Sequence, residues 1–166
     1  MRLYNFFRSS ASYRVRIALA LKGLDYEYVP VSLIASEHLG PEHRARNPQA
    51  LVPVLEVDGL RITQSLAILD FLDRRWPEPP LYPRDEAGRA RVLSLAAYVA
   101  SEIQPLQNLR VERYLEQIGL DAPARTGWRT HWVTTGLAAV EEILGQPETG
   151  QFCHCLLYTS PSPRDS

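Results

Sequence analysis

Arg8-Ser9-Ser10-Ala11-Ser12-Tyr13-Arg14-Val15-Arg16-Ile17-Ala18-Leu19 sets a hydroxyl cluster directly before an amphipathic run. Met1 to Asn5, just ahead of it, has the character of a short apolar strand. Ser9 or Ser10 is then a natural N-cap for a helix reaching about Lys22, where Gly23 stops it. The start of such a helix offers unpaired N–H groups and the positive end of its dipole, so hydroxyls placed there can help hold an anion. Downstream, Tyr26 to Val31 is rich in aromatic and β-branched residues and predicts a second strand. A helix between two strands favours their parallel pairing. Residues 36–47 are polar and predict a loop with a helical turn. Val54–Val57 and Leu60–Thr63 flank Asp58-Gly59 as a hairpin. Ser65 is expected to cap a helix through Arg75, with Leu66, Leu69, Phe71 and Leu72 on its buried side. The order is β-α-β, then β-β-α.

Pro77-Glu78-Pro79-Pro80-Leu81-Tyr82-Pro83 fits neither a helix nor a central strand and marks a linker. Beyond it the pattern turns helical. One helix is expected from about Asp85 to Gln104 or beyond, through Val92, Leu95, Ala96 and Val99. Another is expected from about Thr126 to Leu144, carrying Trp128, Trp132, Leu137, Val140 and Leu144.

A chain of 166 residues, 45% hydrophobic and 22% charged, has the composition of an ordinary globule. Its net charge of −1 gives no reason to expect a nucleic acid or an anionic membrane as partner. No apolar run is long enough for a signal peptide or a membrane span, and no membrane role is expected. Only Lys22 among the 18 basic residues is a lysine, a bias given little functional weight. Cys153 and Cys155 are too few for a disulfide framework and fit a reduced cytoplasm. With His154 they form three adjacent residues that cannot close a zinc site alone, and no metal is expected.

The serine cluster, Asn47-Pro48 before Val52-Pro53, Gln64-Ser65, and Gln104-Pro105-Leu106-Gln107-Asn108-Leu109 occur in an order and spacing that resemble the cytosolic glutathione transferases. The Ser-Ser-x-x-x-Arg-Val-Arg-Ile-Ala-Leu run resembles the zeta class, which contains the maleylacetoacetate and maleylpyruvate isomerases. The resemblance covers residues 1 to about 154. It implies an α/β thioredoxin-like N-terminal domain over 1–81 and part of an all-α domain over 82–154. The family continues with further helices, absent here, whereas the Ser/Pro-rich stretch 155–166 is expected to be non-native.

The resemblance also implies glutathione as cofactor and a cis Val52-Pro53 bond that turns the valine N–H and C=O toward a peptide-like ligand. Ser9 and Ser10 are the expected thiolate donors. Gln64 and Ser65 would take a ligand carboxylate at a helix start. His38, Gln104 and Asn108 would contribute further contacts. The implied reaction is cis–trans isomerisation of a maleyl diacid, such as maleylacetoacetate, in aromatic amino-acid breakdown. Arg8 and Arg110 are the expected carboxylate-binding cations, because a guanidinium fork suits a carboxylate. Arg14 and Arg16 are expected to be structural salt-bridge partners, and His43 and His131 surface or packing residues.

Ala11 stands where the family carries cysteine, which removes a thiol near the substrate. Other readings are a zeta-like transferase or dehalogenase acting on small α-halo acids, and a non-catalytic binding module. A homodimer is expected from the family. The helical half is expected to be poorly packed around Leu95, Val99, Leu137 and Val140.

Overall fold

The computed structural model describes residues 1–149. Cys153, His154, Cys155 and the stretch 155–166 lie outside the described residues. The chain divides into two compact units, Met1–Leu81 and the residues from Tyr82 onward.

In the first unit the strands are β1 (Arg2–Asn5), β2 (Glu27–Pro30), β3 (Val54–Val57) and β4 (Leu60–Thr63). They form one sheet in the order β2-β1-β3-β4. β1 runs parallel to β2, while β3 is antiparallel to both β1 and β4. The helices are α1 (Ser10–Leu21), α2 (Pro41–Arg46) and α3 (Ser65–Arg75), with a 3₁₀ turn at Glu37–Leu39. The segment 36–47, expected to be mostly loop, thus contains a six-residue helix that starts on Pro41, where the missing N–H costs nothing.

Both faces of the sheet are covered. Tyr4 and Val54, directly opposite each other, share one cluster with Val31 and Val52. Leu3 and Leu55, the neighbouring pair, therefore point to the other face. Val15 and Leu19 of α1 and Ile68 and Leu72 of α3 are equally sealed from solvent, and these two helices pack together. On α3 the buried side falls on Ile68 and Leu72, with Leu66, Leu69 and Phe71 half-buried.

Lys22, the chain's one lysine, closes the bottom of this packing. Its wholly buried ammonium pairs with Asp73 at 3.1 Å and donates to the carbonyls of Trp76 and Pro79. The same Asp73 oxygen accepts the Leu81 N–H at 2.6 Å. The end of α1, the end of α3 and the proline-rich stretch are thereby tied at one buried ion pair.

The second unit contains α4 (Glu86–Tyr98), α5 (Leu109–Gln117) and α6 (Ala122–Leu144). The helix expected to run unbroken to Gln104 changes at Val99–Ile103 into a π-helical turn, followed by a 3₁₀ turn at Pro105–Gln107. α5 was not anticipated, and α6 begins four residues before the expected Thr126, capped by Asp121. Gly136 of α6 meets Ile103 so closely that a Cβ there would stand 2.5 Å from Ile103 Cγ1.

Candidate functional site

The sheet register gathers the candidate residues of the first unit. Tyr4, Val54 and Thr63 lie side by side across β1, β3 and β4. The loop leaving β1, the chain entering β3 and the chain leaving β4 therefore emerge at one end of the sheet. Those segments carry Arg8, Ser9 and Ser10; Val52 and Pro53; and Gln64 and Ser65. Asn5 pairs with Pro30 at the same end, so the segment leaving β2 toward His38 starts there as well.

Ser9 is the N-cap of α1: it is extended (φ −76°, ψ 118°) and its Oγ accepts the Ser12 N–H at 3.2 Å. A hydroxyl has one proton and two lone pairs, so this bond leaves the Ser9 proton to donate outward, beside the helix start. Ser10 is the first helical residue and is exposed, as is Arg8. Ala11 follows, half-buried, in the first turn.

The Val52–Pro53 peptide is cis, as the resemblance implied. Strand pairing starts only at Val54, so the Val52 N–H and C=O stand outside the ladder. Two side chains hold this approach through the Leu51 carbonyl: His43 Nε2 at 2.9 Å and Asn47 Nδ2 at 2.9 Å. His43 is buried, so it anchors the loop in place of decorating the surface. His131 on α6 is exposed, with its ring 5.0 Å from that of Trp132.

Gln64, and not Ser65, occupies the cap position of α3, with φ 68° and no capping hydrogen bond from its side chain. A positive φ costs a non-glycine residue free energy and persists where the surroundings enforce it. Here the Gln64 amide donates to Gln49 Oε1 at 2.7 Å. Ser65 is the first helical residue and is buried, and its Oγ accepts from Arg14 at 2.6 Å. An arginine can only donate, so this bond leaves the Ser65 hydroxyl its own proton to give, as a carboxylate site at a helix start requires.

Arg14 and Arg16, expected as structural salt-bridge partners, both hold neutral oxygens of other segments. Arg14 reaches Ser65, and Arg16 reaches Asn5 and the carbonyls of Phe6 and Phe7. The signal was present in the Arg-Val-Arg spacing: two residues apart on a helix, the two side chains leave on different faces. His38 lies half-buried in the 3₁₀ turn.

The second unit holds Gln104, Asn108 and Arg110 close in sequence around its two short turns. Gln104 ends the π-helical turn, and Asn108 caps α5 by accepting from the N–H groups of Arg110 and Val111 at 3.1 and 3.4 Å. Capping occupies the Asn108 oxygen and leaves its amide protons to donate. The Trp128 indole donates to the Leu106 carbonyl at 2.7 Å, fixing the turn between them. Arg110 is exposed in the first turn of α5. Among the described residues there is no cluster suited to a metal ion, and no helix is long and apolar enough to cross a membrane.

Residues 1–74 match the family described as glutathione S-transferase, N-terminal domain. Over 153 residues the chain is 50% identical to the maleylacetoacetate isomerase of Rhizobium meliloti, a match spanning 92% of this chain and 72% of that one. The chain belongs to the zeta-class glutathione transferase and maleylacetoacetate isomerase family. A maleylpyruvate isomerase of Ralstonia is 44% identical over 92% of this zeta-class chain and 73% of its own length. The solved structure of a zeta-class maleylpyruvate isomerase superimposes with a TM-score of 0.91 at 42% identity, covering 96% of this chain and 76% of its own. A maleylacetoacetate isomerase from Methylobacterium extorquens, solved with malonate and glutathione, gives a TM-score of 0.89 at 40% identity, covering 93% and 74%.

Proposed function

We propose that this chain catalyses glutathione-dependent cis–trans isomerisation of a maleyl diacid, with maleylacetoacetate as the first substrate to test. The observation that carries the reading is the gathering of the Ser9 cap, the Val52–Pro53 edge and the Gln64–Ser65 helix start at one end of the sheet. The donor set fits a γ-glutamyl tripeptide. A helix start with the Ser65 hydroxyl suits its carboxylate, an unpaired strand edge at Val52 suits its peptide bonds, and a second helix start with the Ser9 hydroxyl suits its sulfur. Malonate and glutathione bound by the Methylobacterium relative point to the same ligand classes.

When bound, glutathione supplies the thiol that adds reversibly to the activated double bond and so permits rotation about it. Ser9 donates its proton toward the sulfur and, with Ser10 and the α1 dipole, favours the anionic form. Free thiols titrate near pH 8.5, and lowering that by roughly two pH units needs about 2.7 kcal/mol. One charge-assisted hydrogen bond plus a helix N-terminus is of that size. Arg8, and Arg110 on the second unit, are assigned to substrate carboxylates. Gln104 and Asn108 are assigned to glutathione contacts through their amide protons, and His38 to its glycyl end.

The match to maleylpyruvate isomerases favours maleylpyruvate as the second substrate to test. A homodimer and a cytoplasmic setting, where thiols stay reduced, belong to the same reading. Glutathione at 100 times its dissociation constant should stabilise the chain by about 2.7 kcal/mol and raise the unfolding midpoint by several degrees. Product analysis then discriminates among the chemistries. Isomerisation leaves the glutathione concentration unchanged, conjugation consumes it, and dehalogenation releases halide. A cooperative transition that glutathione leaves in place refutes the proposal.

A further inference from the structure

We infer that Arg16 is a positioning residue for the thiol-activating hydroxyl, an inference that rests on the role proposed for Ser9. From the second turn of α1 the Arg16 side chain points back toward the helix start, the direction in which helical side chains lean. One terminal nitrogen donates to Asn5 Oδ1 at 2.9 Å and to the Phe6 carbonyl at 3.3 Å. The other donates to the Phe7 carbonyl at 3.0 Å. The Phe6 carbonyl also accepts the Ser9 N–H at 3.0 Å. Asn5 is fully buried and its amide donates back to the Leu3 carbonyl at 3.0 Å. A continuous chain of hydrogen bonds thus runs from the central strand through Asn5 and Arg16 to the backbone that sets Ser9.

Phe6 packs against the cluster of Tyr4, Val31, Val52 and Val54, but the tip of the loop is open to solvent. Phe7 is 63% exposed and Arg8 is exposed, so burial does not fix their conformation. A planar guanidinium can span several carbonyls at fixed angles, whereas an ammonium is a compact point charge that cannot reproduce that fork. The three hydrogen-bond acceptors of Arg16 are neutral oxygens, and its guanidinium lies 5.2 Å from the centre of the Tyr13 ring, a set that suits a part that holds backbone in place.

The test compares Arg16→Met, Arg16→Lys and Ser9→Ala in the full chain. Two readouts are taken: the pH titration of bound glutathione by thiolate ultraviolet absorbance, and the glutathione dissociation constant. Arg16→Met is expected to raise the bound thiol's midpoint by about one pH unit, a tenfold loss of thiolate well below the midpoint, with less than about a threefold change in glutathione affinity. Arg16→Lys keeps the charge but not the fork, and is expected to recover less than half of that loss. It also keeps the test decisive should Arg16→Met fail to fold.

Full recovery by lysine would overturn the positioning role in favour of simple charge. A midpoint that moves in Ser9→Ala but in neither Arg16 variant would overturn this inference alone, whatever happens to thermal stability. A midpoint unmoved in Ser9→Ala would overturn the Ser9 reading and this inference with it.

Discussion

In the first unit Leu3, Val15, Leu19, Val54, Leu55, Ile68 and Leu72 are wholly removed from water. In α6, which is 23 residues long, Gly136 alone is buried and Leu137 is 53% exposed. The same contrast holds for the candidate functional residues. In the first unit Arg14 reaches across 51 positions to Ser65, Gln64 across 15 to Gln49, and Arg16 across 11 to Asn5. In the second, the Asn108 side chain caps N–H groups two and three positions on, while the turn beside it is tied across 22 positions by the Trp128–Leu106 bond. Site geometry in the first unit is therefore a product of cooperative packing. In the second unit the Asn108 geometry is local, written into one helix start.

Lys22→Met should show the sharpest cost on the packed side. Removing the ammonium takes away the cation that Asp73 pairs with at 3.1 Å in the interior and is expected to lose about 3–5 kcal/mol, measured by urea unfolding. A loss below 1 kcal/mol would mean the first unit does not depend on its buried tie. A matched pair tests the contrast more directly. Leu55→Ala should cost about 2–5 kcal/mol, while Leu137→Ala on exposed α6 should stay within about 0.5 kcal/mol. Similar values for the two would erase the distinction.

Gly136→Ala probes the close contact of α6 with Ile103. Its added methyl must displace Ile103 and should cost about 1–3 kcal/mol. Combining it with Ile103→Ala should give less than the sum of the separate losses, because the two changes share one space. Additive losses would place the strain elsewhere.

The smallest effect expected is on the surface of α2. There the Arg46 guanidinium, hydrogen-bonded at 2.6 Å, holds the Glu42 carboxyl below the usual carboxylate range. Because the folded value lies below the unfolded one of about 4.3, the pair stabilises above that pH and its contribution fades as pH falls through the folded value. Glu42→Gln should therefore differ slightly from the parent at neutral pH and converge with it in acid. A gap that widens on acidification would contradict that sign.

Much of this layout was legible in the chain itself. The strands, the hairpin at Asp58-Gly59 and the Ser9 cap follow from alternation and from local hydrogen-bonding chemistry, which act over a few residues. Helix α5 is the exception: Asn108 is a favoured N-cap and Val111 and Leu115 stand one turn apart, but the motif assigns the Asn108 side chain to a ligand and so masks the helix start. Gln64 displaced Ser65 from the cap position because its backbone is forced to positive φ, a conformation no propensity favours for glutamine. For His43 the sequence leaves surface and packing roles both open, and the Leu51 carbonyl brought to it selects packing.

The sequence by itself determined which residue types stand at the helix starts, where the units divide into sheet and helices, and which family the motifs resemble. The tertiary structure alone decided what Arg14, Arg16, Lys22 and His43 do. Their partners include carbonyls, a hydroxyl and a buried carboxylate supplied by other segments, from 8 to 57 positions away. A long cationic or imidazole side chain has no preferred partner until packing brings one within about 3 Å.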